Sequence, residues 1–206
     1  SPTPSPTPQP TVELSAEALP QGGTFLVRVR HAGADGASLA FAGRRYTMLA
    51  EGDALWAAIG VAASMPPGDY PLHISLPRGG EPLTASLTVT AVQFPVEHIT
   101  LLPEARPLLD PKLFQEDAAI LARVYSGLAP TRRWRGMFLL PVEGAFADPF
   151  GILRIADGTS LGQHTALDIA AEEGTTVAAA NAGRVAFVGT LPIRGKAVII
   201  DHGAGV

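Results

Sequence analysis

The sequence predicts a mainly β protein, with strand-rich parts at both ends and one helix between them. Three observations carry this reading. Apolar and polar residues alternate with a period of two in several runs of residues 11–92. Helical spacing is clear in one run, PKLFQEDAAILARVYSGL. Residues 138–206 return to short apolar runs broken by glycine. At 206 residues, 47% hydrophobic and 17% charged, the chain can bury the cores of two small domains and is not globally disordered.

Residues 1–10, SPTPSPTPQP, form a Pro-rich linker with no core-forming side chain. Such a segment favours extended polyproline geometry and acts as a spacer or a plain disordered terminus. No signal peptide is visible, and the opening reads as a mature or trimmed start.

Residues 11–92 supply alternating strands. Phe25, Val27 and Val29 point one way in GGTFLVRVRH. Tyr70, Leu72, Ile74 and Leu76 share a face of GDYPLHISLP. Leu83, Leu87 and Val89 oppose Thr84, Ser86, Thr88 and Thr90 in LTASLTVTAV. Turns are expected at Gln21-Gly22-Gly23, Ala34-Asp35-Gly36, Pro66-Pro67-Gly68 and Pro77-Arg78-Gly79-Gly80. Short strands between such turns predict an immunoglobulin-like β-sandwich. Nothing in it reads as catalytic: His31 and His73, like His98 beyond it, are assigned surface or structural roles.

Residues 93–137 read as a connector. Phe94 to Pro111 holds four prolines and is expected to be irregular. A helix follows, with Asp110 as N-cap, Pro111 at its first position and Gly127 as its stop. Leu113, Ile120, Leu121 and Val124 can share its apolar stripe. Glu116 and Asp117 are placed in the early turns, where the helix dipole favours acids, and are given no chemistry. In residues 138–206, GTTVAAANAGRVAFVG predicts two strands joined at Asn181-Ala182-Gly183, and GKAVIIDHG predicts a third.

Several function classes are excluded. A net charge of −4 gives no broad basic field for nucleic acid or an anionic membrane. Arg132, Arg133 and Arg135 around Trp134 read as a solvated linker. With no cysteine, zinc-thiolate sites and thiol nucleophiles are impossible. No apolar run approaches the roughly 20 residues of a transmembrane helix.

The candidate chemistry lies in HTALD. On a straight strand His164 and Asp168 would stand about 13 Å apart, too far to share an ion. A shared metal therefore requires a bend at His164, which Gly162-Gln163 makes feasible, with Asp168 on the strand that follows. Imidazole and carboxylate suit zinc. An Asp–His surface pair or a turn hydrogen bond is the competing reading of the same spacing.

The surrounding blocks resemble the lysostaphin/LytM-type zinc metalloendopeptidases. They are Pro141-Val142-Glu143-Gly144, Phe150-Gly151 with Arg154, His164 with Asp168, Gly174 to Ala180, Gly183 to Val185 and Ile199 to Gly203. Their order and spacing cover about the last third of the chain. Ala166 stands where that family often has glycine. The resemblance implies an antiparallel β-sheet metallopeptidase core in residues 138–206, incomplete at its C-terminal side. It also implies zinc as cofactor, His164 and Asp168 as metal ligands, and peptidoglycan peptides as substrate in the cell envelope, periplasmic or extracellular. The family's third ligand and catalytic histidines would lie beyond Val206. His202 and Asp201 match a turn and a strand end, and Glu172 and Glu173 an exposed loop. On this reading the 206 residues bind zinc weakly and do not catalyse. The alternative is a non-catalytic cell-envelope binding or regulatory module with a degenerate peptidase domain.

Overall fold

The computed structural model describes residues 8–30, 36–76, 81–127 and 129–206. His31 and the expected turns at Ala34-Asp35-Gly36 and Pro77 to Gly80 lie wholly or mostly outside them. The chain divides into two compact units, residues 1–93 and 94–206.

Among the described residues the first unit contains nine strands: β1 (Thr11–Leu14), β2 (Ala18–Pro20), β3 (Thr24–Arg30), β4 (Ser38–Phe41), β5 (Arg44–Thr47), β6 (Leu49–Glu51), β7 (Ala54–Gly60), β8 (Gly68–Ser75) and β9 (Leu83–Thr90). They form two sheets, ordered β1-β3-β7-β6 and β2-β9-β8-β4-β5. The predicted alternation is realised. Phe25, Val27 and Val29 of β3 are buried, as are Leu72 and Ile74 of β8 and Leu87 and Val89 of β9. Leu39 and Phe41 of β4 and Leu55, Ala57 and Ile59 of β7 complete one cluster fed by both sheets. Phe25 and Phe41 meet edge to face across it at 5.5 Å. Each fully buried aliphatic or aromatic side chain contributes about 1.5–3 kcal/mol by leaving water. The β4–β5 turn, which the pattern did not signal, uses Ala42 and Gly43, both at positive φ (47° and 76°). That is what a two-residue hairpin turn matching the strand twist demands.

The second unit contains β10 (Val96–Ile99), a 3-10 turn (Pro103–Leu109), α1 (Pro111–Ser126), β11 (Ala145–Phe146), β12 (Leu153–Ala156), β13 (Thr159–Gln163), β14 (Ile169–Ala170), β15 (Arg184–Leu191) and β16 (Gly195–Asp201). Its sheets are β10-β12-β13, β11-β14 and β15-β16. The stretch read as a connector is thus built into this unit: β10 lies parallel to β12, pairing Glu97 with Arg154. The prolines that suggested irregularity flank β10 and shape the 3-10 turn; none lies within the strand.

The helix begins and ends where its signals stand. The Asp110 side chain accepts from Lys112 N at 2.9 Å, with Pro111 at the first position. The stripe Leu113, Ile120, Leu121 and Val124 is half-buried. Glu116 is exposed in the second turn, but the account of Asp117 needs correction, because it lies beyond the first turn where the helix dipole acts. Asp117 sits within the apolar stripe and is 1% exposed. It accepts from Ile193 N at 3.1 Å and pairs with Arg194, docking the β15–β16 turn on the helix.

The expected hairpin at Asn181-Ala182-Gly183 also needs correction: β15 pairs with β16. Residues 175–180 are not a hydrogen-bonded strand of that sheet. They bond instead to the segment before β11, Leu139 N to Ala180 O at 2.9 Å and Ala178 N to Pro141 O at 2.7 Å. Asn181 brackets this arrangement, its amide donating to Arg135 O and Met137 O, both at 3.0 Å. Arg133 is exposed, as expected of a solvated linker, but it is also tied to the end of β16. Its N–H donates to His202 O at 2.8 Å, and its guanidinium lies 3.7 Å from the Asp201 carboxylate.

Asp201 is fully buried at the end of β16. It accepts from Ala129 N at 3.0 Å and Gly203 N at 2.9 Å, with Arg184 at 3.9 Å. Burial pushes its pKa up, but those N–H donors and the Arg133 and Arg184 guanidiniums outweigh burial and hold it below the usual aspartate value.

Candidate metal centre

The chain leaves β13 at Gln163, passes His164, bends at Ala166 and enters β14 just after Asp168. Gly162, within β13, has φ +88°. The backbone at both candidate residues is fixed from one loop, Ala147 to Ile152. Gly151 N donates to His164 O at 2.7 Å and His164 N to Ile152 O at 2.8 Å. Ala147 N donates to Asp168 O at 2.9 Å and Asp168 N to Asp148 O at 3.1 Å. Two reciprocal pairs of backbone bonds therefore hold a kink here, which is the geometry a shared metal would require. The loop itself needs glycine at position 151: φ is +94°, and a Cβ there would overlap the Phe94 ring.

The outcome is a close approach of the two side chains. His164 Nε2 lies 3.2 Å from Asp168 Oδ1, with His164 14% exposed and Asp168 47% exposed. Nε2 is nevertheless buried and has no hydrogen-bond partner among the described residues. The pair has ion-pair distance without the alignment of a hydrogen bond. Two ligand atoms of one tetrahedral zinc, each about 2.0–2.1 Å from the ion, would stand about 3.3 Å apart. The observed 3.2 Å is therefore compatible with both atoms holding one divalent cation, as it is with the Asp–His pair that the spacing also allowed.

Among the described residues, no group of three His, Asp or Glu side chains is placed to hold a metal. His202 is not brought to the pair. Its Nδ1 donates to Ala182 O at 2.8 Å and its ring stands edge-on to Phe138 at 5.0 Å, a structural role. Glu172 and Glu173 are exposed, and so are His73 and His98.

A groove of about 650 Å3 runs up to His164. One wall is apolar, from Leu101, Leu108, Leu109 and Phe114; the other is β13, an edge strand. Sequence reasoning did not find this groove, because its apolar wall comes from the prolines and leucines read as a connector. No helix among the described residues is long and apolar enough to cross a membrane.

Comparison with known proteins bears on the C-terminal part of the chain. Residues 162–206 match the model of Peptidase family M23. A crystal structure of a candidate M23 peptidase from Pseudomonas aeruginosa is similar in fold, with a TM-score of 0.56 and 24% identity over 90% of this chain and 69% of that one. A chimeric titin Z1Z2 tandem aligns with 44% of this chain and 56% of its own at 12% identity, but its TM-score of 0.26 carries no weight. No curated protein matches the chain significantly. The C-terminal part of this mainly β chain thus resembles the LytM-type peptidases.

Proposed function

We propose that this chain carries the metal-binding half of a zinc-dependent endopeptidase acting on peptidoglycan peptides in the cell envelope. The observation that carries the reading is the approach of His164 Nε2 to Asp168 Oδ1 at 3.2 Å with Nε2 buried and unpartnered. The match of residues 162–206 to a peptidase family supports it. His164 and Asp168 would hold the ion. Zinc so held supplies Lewis acidity toward a peptide carbonyl and acidifies water.

The chain's own residues do the remaining work on this reading. The 147–152 loop keeps both ligands at one point, so little ordering is left to be done when the ion arrives. As an edge strand, β13 can pair with an extended peptide through its outer backbone groups, and the apolar wall lies opposite. We read the first unit as an immunoglobulin-type sandwich, since its two sheet orders follow that arrangement with one extra strand at each outer edge of the second sheet. It is proposed to position the peptidase part or to limit access to it.

Zinc titration against a competing chelator tests the metal site. His164→Ala and Asp168→Ala should each abolish binding, and wild-type affinity in both would overturn the reading. Muropeptide cleavage tests the activity: it should depend on zinc and on His164. Zinc binding without cleavage in any form containing these residues would favour the non-catalytic envelope module.

A further inference from the structure

We propose that Arg154 is a positioning residue for the His164–Asp168 pair, acting through Asp148 and anchored by Glu97. The inference rests on the metal-site reading above. Arg154 lies on β12 and makes two charged contacts. Its guanidinium pairs with the Asp148 carboxylate, and its Nε donates to Glu97 Oε2 at 3.1 Å. Glu97 belongs to β10 and faces Arg154 across the parallel pair. Asp148 belongs to the loop that holds both candidate ligands, and its own carbonyl accepts the Asp168 N–H at 3.1 Å. The connection from β10 to Asp168 is thus Glu97 carboxylate, Arg154 guanidinium, Asp148 side chain, Asp148 carbonyl, Asp168 N–H. Arg154 is only 26% exposed at its side chain, so its contacts are not those of a freely solvated surface pair.

The chemistry favours arginine specifically. A planar fork can meet two carboxylates at once, whereas an ammonium on a flexible stem cannot hold both in fixed directions. The carboxylates in turn hold the guanidinium fully charged. Arg154 touches neither candidate ligand, so its effect is on where Asp168 stands. Groups that orient metal ligands in this way typically alter affinity by about 10–100-fold when removed.

The test uses the whole chain and zinc alone. Arg154→Met should weaken zinc binding by about 10–100-fold, with the metal-free melting temperature and circular dichroism close to wild type. Arg154→Lys should recover only part of the loss. Asp148→Asn, which keeps volume and backbone, should match Arg154→Met, and it decides the matter if Arg154→Met folds poorly. Glu97→Gln should have the smallest effect, since the pair to Asp148 survives. Amide exchange at Asp168 should quicken in Arg154→Met without metal present. If His164→Ala and Asp168→Ala lose zinc but Arg154→Met and Asp148→Asn bind it like wild type, the positioning role is wrong and the metal site stands. If His164→Ala and Asp168→Ala bind like wild type, the metal site itself is wrong.

Discussion

The two units of this chain are stabilised by different means. In the first, the cluster around Phe25, Leu39, Ile59, Leu72 and Leu87 is apolar throughout. In the second, few apolar side chains are buried, and the buried polar or charged residues among the described ones, Asp117, Asp201 and His202, all belong to it. Valines 177, 185, 188 and 198 meanwhile remain exposed there. Apolar burial is tolerant and cumulative, whereas a buried carboxylate is stabilising only while each of its partners is in place. A unit built on the second principle gains fixed geometry at one point, which a metal site needs, and becomes sensitive to single substitutions and to acid.

The largest effect should come from the first unit. Phe25→Ala should cost about 3–5 kcal/mol, read as early exchange of the β3 and β7 amides. Zinc affinity at His164 should stay unchanged if the units are energetically separate. An equal loss of protection in β15 and β16 would break the comparison.

Asp201→Asn should come next, at about 1–3 kcal/mol, confined to the second unit. It also isolates a pH effect. The folded-state pKa of Asp201 is depressed, so its contribution is whole above the unfolded-state value of about 3.9. That contribution is lost as pH falls through the lower folded-state value. Acid titration of wild type should therefore loosen β16 in that window, and Asp201→Asn should remove that part of the pH dependence. A variant with the wild-type acid profile would exclude Asp201 as its source. At the small end, His73→Ala on the exposed face of β8 should change stability by no more than about 0.5 kcal/mol. A larger loss would show that the outer face of the first unit contributes more than its exposure suggests.

The same division decides what could be read from the sequence. Period-two alternation found the faces of β3, β8 and β9 because one side of each is buried and the other wet. It missed β7, whose residues Ala54 to Ala57 are buried in succession and carry no alternation. The helix and both its ends were legible, since Asp110, Pro111 and Gly127 act locally. Asp117 was misjudged, although an acid inside an apolar stripe is itself a signal that a partner awaits it. At the site, reach made a bend the condition for any shared metal, and the chain does bend, at Ala166. The roles of Asp148, Glu97 and Asn181 did not follow from reach, because each depends on a residue more than 40 positions away or on a backbone carbonyl. The glycine of the His-Gly block proved sterically required: at Gly203, φ is +80° and a Cβ would overlap the Thr131 carbonyl.

The pairing of β10 with β12 has a practical consequence for dissecting this protein. A fragment cut at residue 138, where the C-terminal strand-rich part was expected to begin, would discard the strand beside β12, the carboxylate that steadies Arg154 and the ring that fills the space against Gly151. Severed there, the peptidase-like part would expose a raw sheet margin prone to self-association. The scissors belong ahead of Phe94.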